Sequence, residues 1–319
     1  MLNVKYLGVF LWLLVGLLIS CNDKQEHKNS STNPYVLVLG NAQDAGYPQV
    51  GCERDCCKRV YENPTNGRFV SSIALIDPIS HENWIFDATP DFPEQLKLLS
   101  NHLNKPENFP NAIFLTHAHI GHYTGLIYLG REAMGAKNVP VYAMPKMKSY
   151  LYANGPWSQL VALKNIDLKD LQKDSIIILN SRISITPIQV PHRDEYSETV
   201  GFLIENNLKK ILFIPDIDKW NKWESGILSY IKEVDIAIVD ATFFKDGEIE
   251  GRSMSEIPHP FVEESMALFK DLPEEEKAKV FFTHFNHTNP LLIDGSEAQK
   301  RVIDQGFNVA KQGMVINFD

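Results

Sequence analysis

Positive charge is in short supply. Lysine and arginine number 31 against 40 aspartates and glutamates, a formal net charge of −9, and a chain with that balance is a poor partner for nucleic acid. Repeats, Gly/Ser linkers and low-complexity tracts are absent between Asn33 and Asp319, which leaves no composition break at which to divide the body. A membrane-length apolar run is missing too, since Leu7 to Ile19 is too short for a comfortable span. Cysteine is scarce, with only Cys21, Cys52, Cys56 and Cys57.

What is there begins with Lys5 and the short apolar stretch, which leads into Leu18-Ile19-Ser20-Cys21. Small Ser20 before the cysteine resembles a bacterial lipoprotein signal, and the resemblance implies cleavage before Cys21 and lipid attachment to its thiol. An uncleaved peptide anchor is the alternative, and both place the body outside the cytoplasm. Asn22 to Asn33 holds no apolar residue and reads as a flexible tether. The expected organisation is a leader over residues 1–20, a tether over 21–33 and a single domain over 34–319, lipid-anchored to a membrane of the cell envelope. With Cys21 lipidated, three cysteines remain, an odd number for an oxidising compartment. One disulfide, Cys52–Cys56 or Cys52–Cys57, would strand a thiol. Three thiolates joined by a histidine would instead complete a tetrahedral structural zinc.

The most telling segment is Thr116-His117-Ala118-His119-Ile120-Gly121-His122. It follows the apolar run Ala112 to Leu115, a short buried strand, and precedes a segment that starts like a helix. Histidines two apart on extended backbone point the same way. A third at the helix start can converge on the same pocket. Neutral imidazole is a common ligand for zinc and similar metals, so the cluster predicts a metal site.

Apolar runs and alternation predict strands at Tyr35–Leu39, Ser72–Ile76, Trp84–Phe86, Ala112–Thr116, Val139–Ala143, Ser175–Leu179, Ile183–Ile188, Thr199–Ile204, Lys210–Ile214, Ile236–Val239, Val280–Thr283 and Met314–Asn317. Helical patterns fall at Phe92–Leu103, His122–Met134, Lys146–Ala153, Ile227–Glu233, Phe261–Lys270 and Ser296–Gln305. The run Glu274-Glu275-Glu276 reads as a solvated helix start. Early strands come in pairs and later ones alternate with helices, which predicts an αββα sandwich of two mixed sheets with helices on the outer faces. Several strands run into ligand-type residues, namely His117, His192, Asp216 and His284.

The set His117-x-His119-x-x-His122 with later His192, Asp216 and His284 resembles the metallo-β-lactamase superfamily, from about Tyr35 to Asp319. Val190-Pro191-His192-Arg193-Asp194-Glu195, Ile214-Pro215-Asp216-Ile217 and Thr288-Asn289-Pro290-Leu291-Leu292 are most similar to the B family of pyrroloquinoline quinone biosynthesis proteins. The resemblance implies a metallo-β-lactamase fold with one or two zinc ions, iron or manganese being alternatives. His117, His119 and His192 would hold one ion, His122 and His284 the other, and Asp216 would bridge them. Asp216 and His122 are the expected catalytic residues. That family usually has aspartate where this chain has Gly121, so a ligand is missing. Asp44 or Asp87 could substitute, and Gly121→Asp is expected to raise occupancy of the second metal. A cyclic phosphodiesterase of the phosphonate pathway is similar in its cysteine cluster, which implies a structural zinc on Cys52, Cys56, Cys57 and His287. Asp44, Arg193, His259 and Asn286 are expected to contact a small-molecule substrate. The leading expectation is a hydrolase that uses metal-activated water on a small ester, amide or phosphodiester. Oxidative chemistry on a quinone precursor and non-catalytic binding of a small molecule or metal are its rivals.

Overall fold

The computed structural model describes residues 32–103, 109–249, 251, 253–254 and 257–318. The expected leader, Cys21 with its lipid, and residues 21–31 of the tether lie outside them. Among the described residues, no helix is long and apolar enough to cross a membrane.

Among the described residues, fourteen strands form two seven-stranded sheets. The first contains β1 (Tyr35–Gly40), β2 (Ser72–Asp77), β3 (Glu82–Phe86), β4 (Ala112–Phe114), β5 (Val139–Ala143), β6 (Ile166–Asp170) and β14 (Val315–Asn317), in the order β14-β1-β2-β3-β4-β5-β6. The second contains β7 (Ile177–Ile178), β8 (Ile183–Gln189), β9 (Val200–Asn206), β10 (Lys210–Ile214), β11 (Ile236–Asp240), β12 (Val280–Thr283) and β13 (Asn308–Val309), in the order β13-β12-β11-β10-β9-β8-β7. Both sheets are mixed. β14, β1, β2 and β3 pair antiparallel, as do β7, β8, β9 and β10, whereas β3 to β6 and β10 to β13 run parallel. Parallel neighbours need a crossover, and helices supply it. α2 (Phe92–Leu103) links β3 to β4, α6 (Ile227–Glu233) links β10 to β11, and α9 (Glu297–Asp304) links β12 to β13.

Burial on both faces explains why the central strands read as continuous apolar runs. Along β1, Val36 and Val38 pack into the layer between the sheets, while Leu37 and Leu39 turn outward onto the helices. Phe86 from the first sheet stands 5.1 Å from Phe202 and 6.2 Å from Phe213 of the second, ring centre to ring centre, and ties the layers together. The outer face of the second sheet is covered by Ile227 and Ile231 of α6 and by Val262, Met266 and Phe269 of α7 (Val262–Phe269). This is the expected αββα sandwich.

Two departures matter for the site. The helix expected over His122–Met134 is instead one turn, α3 (Ile120–Tyr123), followed by a 3-10 segment at Thr124–Leu129. Gly125 causes the break: a Cβ there would lie 2.1 Å from the Thr89 carbonyl oxygen, so the segment is drawn against the loop after β3. The other departure is a helix that the sequence reading did not place, α1 (Asp55–Glu62), which carries Cys56 and Cys57 in its first turn. The acidic run does form a one-turn helix at Glu274–Lys277 with no buried residue.

Candidate metal centre

Seven strands that point the same way within their sheets deliver their C-terminal ends to one rim. β1 leads to Asp44, β3 to Asp87, β4 to His117, His119 and His122, β8 to His192, β10 to Asp216, β11 ends on Asp240, and β12 leads to His284. Side chains at strand ends are held by a rigid scaffold, which is what convergence of distant residues requires. Asp87 (φ 70°), His259 (φ 103°) and His284 (φ 64°) hold left-handed backbone. Residues with a Cβ rarely adopt it, and such strain concentrates at functional sites.

Three groups of ligand-type side chains result, and one of them, Asp216, Asp240, His259 and His284, shares Asp216 and His284 with the other two. In the first, His117 Nε2, His119 Nδ1, His192 Nε2 and an Asp216 carboxylate oxygen gather within 4.8 Å. His117 Nε2 lies 2.9 Å from His119 Nδ1 and 3.1 Å from Asp216 Oδ2; His192 Nε2 lies 3.3 Å from both. Ligands 2.0–2.1 Å from a tetrahedral zinc stand about 3.3 Å apart, so the donor set fits the ion. In the second, His122, His284 and Asp44 gather within 4.8 Å, and His122 Nε2 is 3.7 Å from Asp216 Oδ2. His122 Nε2, His284 Nε2 and Asp44 Oδ1 are buried and make no hydrogen bond. Three buried polar atoms without partners facing one another are costly unless something binds them, and a cation suits all three.

Outer partners fix which ring nitrogen is free. Thr116 Oγ1 donates to Asp87 Oδ2 (2.9 Å) and accepts from His117 Nδ1 (2.9 Å). His122 Nδ1 donates to Asp87 Oδ2 at 2.7 Å. The same device recurs across the rim, where His284 Nδ1 donates to Thr242 Oγ1 and that hydroxyl donates to Asp240 Oδ1, at 2.9 and 2.7 Å. His119 is reversed: its Nε2 faces Glu195 Oε2 at 3.2 Å and its Nδ1 faces the cluster. Asp87 is thus a positioning residue, not a substitute ligand. Asp87→Asn is expected to weaken zinc binding at the second cluster by about 10–100-fold, as read by competition with a chelating dye. Unchanged affinity would remove Asp87 from that role.

The electrostatics agree with ligand chemistry. Burial raises the Asp216 pKa, but the imidazoles of His192, His259 and His284 outweigh it and hold the carboxyl well below the usual range. Burial likewise works against Asp44, and His122 and His284 hold it low. Burial, with the charge of His122, pushes His117 well down, towards the neutral form that binds metal.

His259 is buried, not the surface loop histidine that a Pro-flanked position suggests. Its Nδ1 sits 3.1 Å from Asp216 Oδ1 and 2.8 Å from Asp240 Oδ2. Burial opposes its charge, yet Asp240 and Asp216 push its pKa up to about 10. The other three residues expected to contact substrate each have protein neighbours of their own. Asp44 belongs to the second cluster. Arg193 is half exposed and lies 3.8 Å from Glu195. Asn286 is buried behind His287, accepting from its Nδ1 at 3.1 Å and donating to Thr288 at 2.6 Å. Sequence reading missed Asp240, Thr116 and Thr242. The run Ile236-Ala237-Ile238-Val239 before Asp240 repeats the apolar-strand-then-acid pattern of Asp216 and could have flagged the first.

Cys52, Cys56, Cys57 and His287 form a further cluster within 4.8 Å, and the three cysteines are free thiols. The Cys52 and Cys56 sulfurs are 3.8 Å apart, far beyond the S–S bond length of about 2.05 Å. Thiolates 2.3 Å from a tetrahedral zinc are also about 3.8 Å apart. The first turn of α1 lets the adjacent Cys56 and Cys57 both reach the centre, which extended backbone would forbid.

Residues 82–285 match the beta-lactamase superfamily domain. The chain belongs to the beta-lactamase superfamily. Among superfamily relatives, coenzyme PQQ synthesis protein B of Methylococcus capsulatus is 27% identical over 88% of this chain and 99% of the relative. The protein of the same name from Acinetobacter baylyi is 25% identical over 88% and 99%. Zn(2+)-bound PqqB from Methylobacterium extorquens superposes with a TM-score of 0.75 at 22% identity, over 89% of this chain and 99% of that one. A diphosphatase from the PhnP family superposes at 0.62, with 22% identity over 89% and 96%. Both structures share the superfamily sandwich described above.

Proposed function

We propose that the chain is a metal-dependent hydrolase that cleaves a small anionic ester, a phosphodiester above all. The observation that carries this reading is the placement of one Asp216 oxygen 3.1 Å from His117 Nε2, 3.3 Å from His192 Nε2 and 3.7 Å from His122 Nε2, between two sets of imidazoles. His117, His119, His192 and Asp216 would hold one ion, and His122, His284 and Asp216 a second. Such ions polarise a phosphoryl or carbonyl oxygen and lower the pKa of water. The chain's own residues do the rest. Asp240 fixes His259 by its Nδ1–H, leaving Nε2 to give a proton to the leaving oxygen. Beside Glu195, a pocket of about 400 Å³ lined by Lys146, Tyr150 and Tyr196 would seat a small substrate, with the Lys146 ammonium available to its negative charge. Cys52, Cys56, Cys57 and His287 would hold a structural zinc.

The zinc-loaded full chain, assayed against phosphodiesters, phosphomonoesters, carboxylic esters and amides, is expected to turn over a phosphodiester and to lose that activity on chelation. His259→Ala is expected to lower kcat by about 10²–10⁴-fold, the usual worth of general acid catalysis, with little change in KM. Failure to turn over any member of the panel would overturn the proposal.

A second reading is a role in coenzyme PQQ synthesis, with iron in the first cluster supporting oxidation of a quinone precursor. It is favoured by the end-to-end likeness to relatives of that name. Oxygen uptake by Fe(II)-reconstituted protein separates the two. We also propose that the protein works in the cell envelope, lipid-tethered through Cys21. Mass spectrometry showing an intact Met1 on the mature protein would refute this.

A further inference from the structure

Resting on the metal-centre reading above, we infer that Asp44 is a transposed metal ligand. It supplies, from the loop after β1, the carboxylate that the family supplies from the position of Gly121, and Gly121 is glycine to admit it. A Cβ on Gly121 would lie 2.3 Å from Asp44 Oδ1 and 2.6 Å from Asp44 Cα. The backbone at Gly121 is helical and not left-handed, so what forbids a side chain there is room and not conformation. The Asp44 carboxylate fills that room, its Oδ1 standing 3.3 Å from His122 Nε2 and 3.9 Å from His284 Nε2. All three atoms are buried and without a hydrogen bond, which is a ligand set awaiting a cation.

The loop is built to hold the carboxylate there. Gln43 donates its N–H to the Phe285 carbonyl and Phe285 donates to the Asn41 carbonyl, each at 2.8 Å, so the residues beside Asp44 and His284 share one backbone ladder. The same loop continues to Cys52, Cys56 and Cys57, whose cluster includes His287, three residues past His284. The cysteine cluster therefore ties together the two loops that carry Asp44 and His284. The expectation that Gly121→Asp raises occupancy of the second metal is thereby corrected: a second carboxylate would collide with the one already in place.

The test uses zinc per chain by elemental analysis and zinc affinity by titration, on the full chain and on Asp44→Asn and Gly121→Ala. Thiolate-to-metal absorption of the cobalt-substituted chain reports the cysteine site separately. Asp44→Asn is expected to lose one ion while the cysteine and His117 clusters keep theirs, with affinity for the lost ion falling beyond the about 100-fold that loss of an outer partner costs. Gly121→Ala removes no ligand and suits a helix, yet is expected to lose the same ion by displacing Asp44. Unchanged stoichiometry and affinity in Asp44→Asn would overturn the inference, and so would a Gly121→Ala chain that keeps the second ion at full affinity. Should Gly121→Ala not fold, Asp44→Asn alone decides. A wild-type chain that binds zinc only at its cysteines would overturn the metal-centre reading as well, whereas unchanged binding by Asp44→Asn would overturn only the role of Asp44.

Discussion

Asp216→Asn is expected to cost the chain both active-site ions and to lower turnover by more than about 100-fold, since loss of a mere outer partner already costs 10–100-fold. The substitution keeps the shape of the side chain and removes its charge. That charge stands within 4.0 Å of His117, His119, His122, His192 and His259, so no neighbouring carboxylate can replace it at the centre. Asp240 is engaged with Thr242, Ile217 and His259. In the metal-free protein the same change leaves the buried His259 with one carboxylate partner in place of two. Because Asp240 stays 2.8 Å from His259, the loss is expected to fall below the about 3–5 kcal/mol of a wholly broken buried pair, with the metal-free variant unfolding at somewhat lower denaturant. Zinc counting, steady-state kinetics and a urea melt check the three parts. A variant that kept two active-site ions would contradict the bridging role.

Cys57→Ser is expected to remove one ion, the one at the cysteines, and to lower the melting temperature on the order of 10 °C. Apparent zinc binding at such sites amounts to about 10–16 kcal/mol at neutral pH in small zinc peptides. A loss of only several kcal/mol shifts a domain of 150–250 residues by about 2–4 °C per kcal/mol. Cys57 is fully buried, and its sulfur accepts the Gln49 N–H at 3.3 Å. A serine hydroxyl could keep that bond but is a poor soft ligand. The consequence spreads because α1 and the loop from Asn41 pack through Cys57 and Val60 into the second sheet's core. The opposing result would be an unchanged melt with a Cys52–Cys56 disulfide found by non-reducing mass spectrometry.

The sandwich was readable because its strands are apolar on both faces and its helices recur between parallel strands. Strands β6 and β13 escaped notice: Ile166–Asp170 alternates with charged residues at a sheet edge, and Asn308–Val309 is only two residues long. Ligand-type residues after apolar runs were equally readable, and the structure brings His117, His119, His122, His192, Asp216 and His284 to one rim. What the sequence hid was the filling of the gap at Gly121. Asp44 lies 77 positions away in a polar loop, and only the close approach of the two backbones shows that one residue occupies the other's space. His259 is expected from the sequence as a substrate contact, but its pairing with Asp216 and Asp240 was hidden by a setting between prolines, which looks like exposed loop. The threonine relays were hidden because Thr116 and Thr242 act through hydroxyls that carry no motif of their own.

Anomalous diffraction at the zinc edge, from crystals of the zinc-loaded full chain, locates the bound ions. Three peaks per chain are expected: one among His117, His119, His192 and Asp216, one among His122, His284, Asp44 and Asp216, and one among Cys52, Cys56, Cys57 and His287. Density at the cysteines with none at the histidine rim would contradict the metal-centre reading.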